Sequence, residues 1–141
     1  MSNRRRAREY VLKALYACEL RELTEEEIKY SIIEKGGLDE KTLLFAKRLF
    51  DEVMKNLNEI DERIESLATN WKLERIAVVD KNVLRMAICE VQFMPDIPVK
   101  VAINEAIELV KKYSTLESAS FVNGILDRVL HEQEKEKEQE K

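Results

Sequence analysis

The sequence contains few of the residues that interrupt regular structure, with only three glycines and two prolines in 141 residues. Because these two residues are the strongest breakers of helices and strands, their scarcity favours long uninterrupted elements. Apolar residues recur at helical spacing along most of the chain, and no segment shows the sustained alternation of a half-buried strand. The sequence therefore predicts an all-α fold.

Residues that carry catalysis or bind metals are also scarce. The chain has one histidine, His131, and two cysteines, Cys18 and Cys89, which lie far apart within apolar helical patterns. This set cannot form a zinc site, and the cysteines are interpreted as buried free thiols in a reducing compartment. Since no glycine-rich phosphate loop, serine nucleophile motif or dinucleotide-binding motif occurs, we expect no enzyme activity, no metal and no cofactor.

Long apolar runs are absent as well. No stretch approaches the roughly 20 apolar residues that span a bilayer, and no apolar segment of a signal peptide follows the basic N-terminus. We therefore expect a cytoplasmic protein without a membrane partner, about one domain in length.

The spacing of apolar residues predicts about seven helices, several of which begin at capping residues. Thr24 with Glu27 forms a capping-box pattern, Asp39 and Asp80 are predicted N-caps, and Thr115 or Ser118 can cap the last helix. The predicted helices cover 4–21, 24–36, 39–57 with a break or a continuation near Asn58 up to 67, a segment from Asp80 to the break at 94–98, 99–113, and about 117–131. Residues 132–141 alternate Glu, Lys and Gln without an apolar face, which predicts a charged flexible tail, either frayed helix or disordered.

Four arginines, Arg4, Arg5, Arg6 and Arg8, begin the first helix of a chain whose net charge is −4. Cations at this end oppose the helix dipole, which favours anions there. A sequence that keeps them is typical of contact with an external anion, of which nucleic acid is the commonest large one. The alternative is a solvated basic helix end. Because the whole molecule is acidic, any RNA contact must come from this local patch.

The segment Phe121-Val122-Asn123-Gly124 carries an Asn-Gly pair, which is usually a hairpin signal, inside helical spacing. A glycine within a helix costs about 1 kcal/mol relative to alanine, so Gly124 indicates a close approach. The approaching group is either another chain or ligand, or a second helix that crosses closely. Asn123 can bond to a base edge or a phosphate.

Four segments form an ordered set of motifs from residue 4 to about 130. They are RRxAREYxLxxLY at 4–16, NWxLERI at 70–76 with VLRMA at 83–87, VAINEA at 101–106, and FVNGILD at 121–127. In sequence and order this set resembles the NusB family of bacterial transcription antitermination factors. The resemblance implies a single domain over 1–131 made of two small helical bundles, one over about 4–68 and one over about 72–131.

The resemblance also implies a function. Members of this family pair with NusE, a small-subunit ribosomal protein, bind the single-stranded boxA element of nascent RNA, and help the RNA polymerase antitermination complex to resist termination, notably on ribosomal RNA operons. Carried onto this chain, the RNA-binding residues are Arg4, Arg5, Arg6, Arg8, Phe121 and Asn123. One departure is Ser120, where some members have a lysine, so a phosphate contact there is expected to be weaker.

Two alternatives stay open at this point. One is an RNA-binding domain that serves ribosomal RNA modification or ribosome biogenesis, since a similar domain precedes some ribosomal RNA methyltransferases. The other is a purely protein-binding helical module whose arginines contact an acidic partner. The sequence also leaves open whether the free protein is a monomer or a homodimer.

Overall fold

The computed structural model describes residues 3–139, and within this range it contains seven α-helices and no strand. The helices are α1 Asn3–Leu20, α2 Glu25–Ile28, α3 Glu40–Lys55, α4 Leu57–Leu67, α5 Val78–Phe93, α6 Val99–Tyr113 and α7 Leu116–Gln139. A π-helical segment, Lys29–Glu34, continues α2, and a short 3-10 helix, Leu73–Arg75, precedes α5. The predicted all-α fold is confirmed. None of the helices in the described range is long and apolar enough to cross a membrane.

Three predicted helix starts are confirmed by their hydrogen bonds. In the capping box that opens α2, Thr24 Oγ1 accepts from the Glu27 N–H at 3.1 Å, and Glu27 Oε1 accepts from the Thr24 N–H at 3.2 Å. Asp39 Oδ1 accepts from the Thr42 N–H at 2.9 Å, and Thr115 Oγ1 accepts from the Ser118 N–H at 3.1 Å. Each bond satisfies an amide that has no partner within its helix.

The predicted cap at Asp80 is wrong. Helix α5 begins earlier, at Val78, after Ala77, whose side chain makes no capping bond. Asp80 lies in the first turn and is buried, and its Oδ1 accepts a hydrogen bond from Ser114 Oγ at 2.8 Å. The carboxylate is therefore used in a tertiary contact that joins the start of α5 to the end of α6.

The chain divides into two compact units, Met1–Leu57 and Asn58–Lys141. In the N-terminal unit, α1 packs against α3, and both pack against the π-helical segment. In the C-terminal unit, α5 packs against α6 and α7, which also pack against each other. In both units most apolar residues of the helical patterns are buried, with exceptions such as Leu44 and Val101, which is the arrangement expected for amphipathic helices.

The boundary between the units differs from the predicted one, because α4 falls almost wholly in the C-terminal unit. Its polar face accounts for this placement. Asp61 binds Arg85 of α5, Arg63 pairs with Glu132 of α7, and the carbonyl of Leu67 accepts from Arg128. A periodic apolar pattern places residues on a buried face, but it does not say which neighbour covers that face.

Helix α5 is covered on all sides, since every residue from 80 to 91 is buried. Arg85, at 8% exposure, lies in this segment and donates from Nε and Nη2 to the two carboxylate oxygens of Asp61, at 2.7 and 2.9 Å. Its Nη1 donates to Asn82 Oδ1 at 2.9 Å. A buried guanidinium is tolerated only when its donors are satisfied in this manner.

The last helix continues beyond its predicted end at residue 131. Helix α7 runs to Gln139, so residues 132–139 of the predicted flexible tail are helical, while 140 and 141 lie outside the described residues. Glu, Lys and Gln are all good helix formers, and the contact of Glu132 with Arg63 holds the first turn of this extension.

Replacing Arg85 by alanine is expected to lower the free energy of unfolding by about 2–4 kcal/mol, because the Asp61 carboxylate and the Asn82 amide lose their partner inside the unit. Arg63→Ala is the matched control. It removes a more exposed ion pair between α4 and α7, so a loss below about 1 kcal/mol is expected. Urea unfolding followed by circular dichroism measures both. Equal losses in the two variants would contradict the role assigned to Arg85.

Candidate nucleic-acid interface

The predicted arginine cluster occupies the first two turns of α1, and its members differ in their surroundings. Arg4 and Arg6 are exposed. The Arg4 guanidinium lies over the Phe45 ring, 4.5 Å from its centroid, and that of Arg6 lies 5.7 Å from the centroid of Tyr10. Among the described residues neither guanidinium forms an ion pair. Both are therefore ordered by aromatic faces without a direct ion pair.

Arg8 and Arg5 are less accessible than the other two. Arg8 is only 2% exposed, and its guanidinium lies 5.2 Å from the centroid of the same Phe45 ring that Arg4 covers. Arg5 is half-buried. The four arginines that the sequence groups together are thus divided by the packing of α1 on α3, with Arg4 and Arg6 facing solvent and Arg8 inside.

Tyr10 is fixed beside this cluster by the turn that follows the π-helical segment. Its hydroxyl donates to the carbonyl oxygen of Gly36 at 2.9 Å and accepts from Arg6 Nη2 at 3.5 Å. A Cβ on Gly36 would lie 2.3 Å from Cε2 of the Tyr10 ring and 2.8 Å from the Ile32 carbonyl oxygen. The absence of a side chain at Gly36 is therefore what lets the ring settle here.

Asp39, the N-cap of α3, is an acidic residue whose pKa is affected by a member of this cluster. Its hydrogen bond from the Thr42 backbone N–H is the main cause that lowers the pKa of its carboxyl, and the positive charges of Arg6 and Lys41 lower that pKa further. The carboxylate is consequently charged at neutral pH, and it is engaged in the cap and does not form an ion pair with Arg6.

The predicted aromatic residue of the last helix, Phe121, borders a cavity of about 330 Å³ in the C-terminal unit. Its ring meets that of Trp71 edge to face, with centroids 6.1 Å apart and an interplanar angle of 66°. Trp71 is 51% exposed, so this wall of the cavity presents an aromatic surface to solvent. The rest of the lining is mixed in character and consists of Arg75, Ile76, Ala77, Asp80, Glu117 and Ser118.

Trp71 and Arg75 were not among the predicted site residues, although a signal for them existed. An aromatic residue and an arginine in a short connection rich in polar residues are typical of a binding surface rather than of a core. What the sequence could not show is that this connection lies against Phe121, since the two are far apart along the chain.

Asn123 and Gly124 follow on α7. Asn123 is half-buried, and its Oδ1 is buried without a hydrogen-bond partner among the described residues. Gly124 is exposed, and a Cβ there would meet nothing within 4 Å. Of the two explanations offered for this glycine, the close crossing of a second helix of this chain is wrong. Ser120, where some NusB family members have lysine, is exposed.

The described residues contain no group of three or more His, Cys, Asp or Glu side chains that could hold a metal ion. Cys18 is half-buried and Cys89 is buried. The start of α1 offers cationic groups, and the surface around Trp71, Phe121 and Asn123 offers aromatic and amide groups. Groups of these kinds suit an anionic polymer with stackable bases.

Comparisons with known proteins agree with these features. The family model of the NusB family matches residues 5–131. The transcription antitermination protein NusB of Thermodesulfovibrio yellowstonii is 43% identical, over 92% of this chain and 93% of its own length. The corresponding protein of Myxococcus xanthus is 44% identical, over 92% of this chain and 95% of its own.

Solved structures give the same result. The structure of NusB from T. maritima has a TM-score of 0.84 and 43% identity, and the match covers 92% of this chain and 91% of that one. A crystal structure of the antitermination factors NusB and NusE in complex with double-stranded RNA has a TM-score of 0.82 and 28% identity, with 92% and 96% covered.

Gly36→Ala is expected to destabilise the protein by about 1–3 kcal/mol, because the new methyl group would overlap the Tyr10 ring and a backbone carbonyl. Thermal unfolding measures the loss, and the near-ultraviolet circular dichroism of the tyrosines should change with it. A wild-type melting temperature in this variant would show that Tyr10 is not confined at this point.

Gly124→Ala is expected to do the opposite and to stabilise the protein by about 0.5–1 kcal/mol. The position is helical and open, so only the better helix propensity of alanine is felt. A loss of stability in urea unfolding would mean that the helix surface at Gly124 is covered in the folded protein.

Proposed function

The chain belongs to the NusB family, and we propose that it is a transcription antitermination factor that binds boxA-type single-stranded RNA together with NusE. Bound in this manner, the pair modifies RNA polymerase so that transcription resists termination, notably in ribosomal RNA operons. The role is one of binding without catalysis, and it is exercised in the cytoplasm, where nascent RNA is made.

The observation that carries this proposal is the state of Arg4 and Arg6. Two exposed guanidinium groups without an ion pair among the described residues, in a chain of net charge −4, are available to an anionic partner from outside. Arginine bonds to phosphate through a fork of donors, which suits an RNA backbone. We assign these two residues and Arg5 to the RNA contact, and we assign Arg8 to holding Phe45, the ring on which Arg4 lies.

The C-terminal unit carries a proposed RNA contact of its own. Phe121, with Trp71 beside it, offers an aromatic edge on which an unstacked base can lie. Asn123, half-buried on the same helix, carries an amide that can bond to a base edge or a phosphate. Gly124 leaves open space in which a nucleotide can approach the helix backbone.

The small size of this surface explains why a protein partner is needed. Two or three phosphate contacts and a few stacked bases give weak binding that falls steeply as salt is raised. The acidic remainder of the chain adds no general attraction for RNA. NusE extends the contact area, and a structural relative has been crystallised with both NusE and RNA.

The test is RNA binding by the wild type and by the double variant Arg4→Gln with Arg6→Gln, each with NusE, over a series of salt concentrations. The variant is expected to bind a boxA oligonucleotide about 10–100-fold more weakly, and the slope of log K against log salt should fall by about 1.4, which corresponds to two lost phosphate contacts on a single strand. Its melting temperature should stay close to that of the wild type, since both side chains are exposed.

Two further arms separate the competing functions. A duplex of the same sequence tests whether the single strand is the preferred form. Binding of NusE without RNA tests the purely protein-binding alternative, because a protein module would lose NusE affinity in the double variant and show no specific RNA binding in the wild type. Arg8→Gln serves as the structural contrast, and it is expected to lower the melting temperature because the buried residue packs on Phe45.

A further inference from the structure

A second cation lies on the Tyr10 ring, outside the predicted arginine cluster. Lys13 Nζ lies 5.3 Å from the ring centroid, and the Arg6 guanidinium lies 5.7 Å from the same centroid. The two residues are seven positions apart on α1, which corresponds to roughly 10 Å along the helix axis. The ring between them is tied to Gly36 by the tyrosine hydroxyl, so it cannot swing away.

The charges of these two residues are ordered but not neutralised. Within residues 3–139 neither Lys13 nor Arg6 forms an ion pair, and both are exposed. Other cations of the same unit are paired with acids, as in Lys29 with Asp51 and Lys47 with Glu34, each at 3.0 Å. An aromatic face restricts a cationic side chain without cancelling its charge, whereas a carboxylate cancels it. This arrangement leaves two positioned positive groups for an anion from solvent.

We propose that Arg6, Tyr10 and Lys13 form a phosphate-binding site, the Tyr10 cradle, which extends the RNA-contacting surface along α1 beyond the arginine cluster. The inference rests on the proposed function, since the ligand is the backbone of the same RNA. Arg6 belongs to both the cluster and the cradle, so a single strand that is bound at Arg4 and Arg6 continues over the Tyr10 ring to Lys13. Lys13 adds a compact ammonium charge, which contacts phosphate without reading sequence.

Continuity favours RNA over an acidic protein segment as the occupant. The cradle consists of two cations and a phenol ring, which suit an anion, whereas protein interfaces depend on buried aromatic or aliphatic anchors. A phosphodiester backbone needs only regularly placed positive charge. The expected effect of Lys13 is therefore electrostatic and independent of the base sequence.

The test uses Lys13→Gln in the full chain, with Lys55→Gln as the matched control. Lys55 is an exposed lysine at the end of α3 in the same unit, with no ion pair and no aromatic contact among the described residues. Each variant is mixed with NusE, and its affinity for a boxA oligonucleotide is measured from about 50 to 200 mM salt. Lys13→Gln should weaken binding about 3–10-fold and reduce the salt slope by about 0.7, whereas Lys55→Gln should change neither.

Lys13→Arg should restore both the affinity and the slope, because it keeps the charge and stacks at least as well on a tyrosine. A boxA oligonucleotide with altered bases should lose the same factor in Lys13→Gln, as expected of a phosphate contact. The melting temperatures of all three variants should match the wild type, since Lys13 and Lys55 are exposed.

The outcomes separate the cradle from the proposed function. In one outcome, the wild type binds RNA and the double variant Arg4→Gln with Arg6→Gln binds it more weakly, but Lys13→Gln has the same RNA affinity as Lys55→Gln. The cradle is then wrong and the proposed function stands. If Lys13→Gln weakens NusE binding in the absence of RNA and leaves the salt slope unchanged, the site serves a protein and the cradle is again wrong. If the wild type with NusE does not bind RNA, the proposed function fails and the cradle fails with it.

Discussion

In the N-terminal unit, the arginine side chains of α1 are held by the faces of aromatic rings. Arg4 and Arg8 share the ring of Phe45, and Arg6 lies on that of Tyr10. Because the rings restrain the side chains and leave the charge intact, the same contacts that stabilise α1 against α3 also prepare it to bind an anion.

In the C-terminal unit, α5 is buried although it carries charged residues. In α5, Arg85 is satisfied by Asp61 of α4 and by Asn82 one turn away, so that the surrounding helices can close over it. In the same unit, the connection that carries Trp71 lies against Phe121 near the start of α7. The two rings of this aromatic edge come from segments that are far apart in the sequence.

Much of the fold could be predicted from the sequence, because its signals are local. Helical periodicity and the capping side chains of Thr24, Asp39 and Thr115 act within one or two turns, and the predicted helices appear close to their expected ends. The errors concern long-range contacts. In the sequence Asp80 has the pattern of a cap, but its carboxylate accepts a hydrogen bond from Ser114, which is distant in sequence. The boundary between the units follows from the partners of α4, which the apolar periodicity does not specify.

For the binding surface, the sequence by itself determined the composition: arginines at the start of a helix in an acidic chain, an Asn-Gly pair within helical spacing, and motifs that name the family. Helical spacing places Arg8 on the face of Val11, Leu12 and Leu15 and leaves Arg6 off that face, but it does not say how deeply Arg8 is buried. Only the tertiary structure decided that Arg8 is inside, that Gly36 seats Tyr10, and that Lys13 joins Arg6 on its ring. The physical reason is that a charged side chain can bind a ligand only where other residues leave it uncovered. The residues that cover it come from elsewhere in the chain.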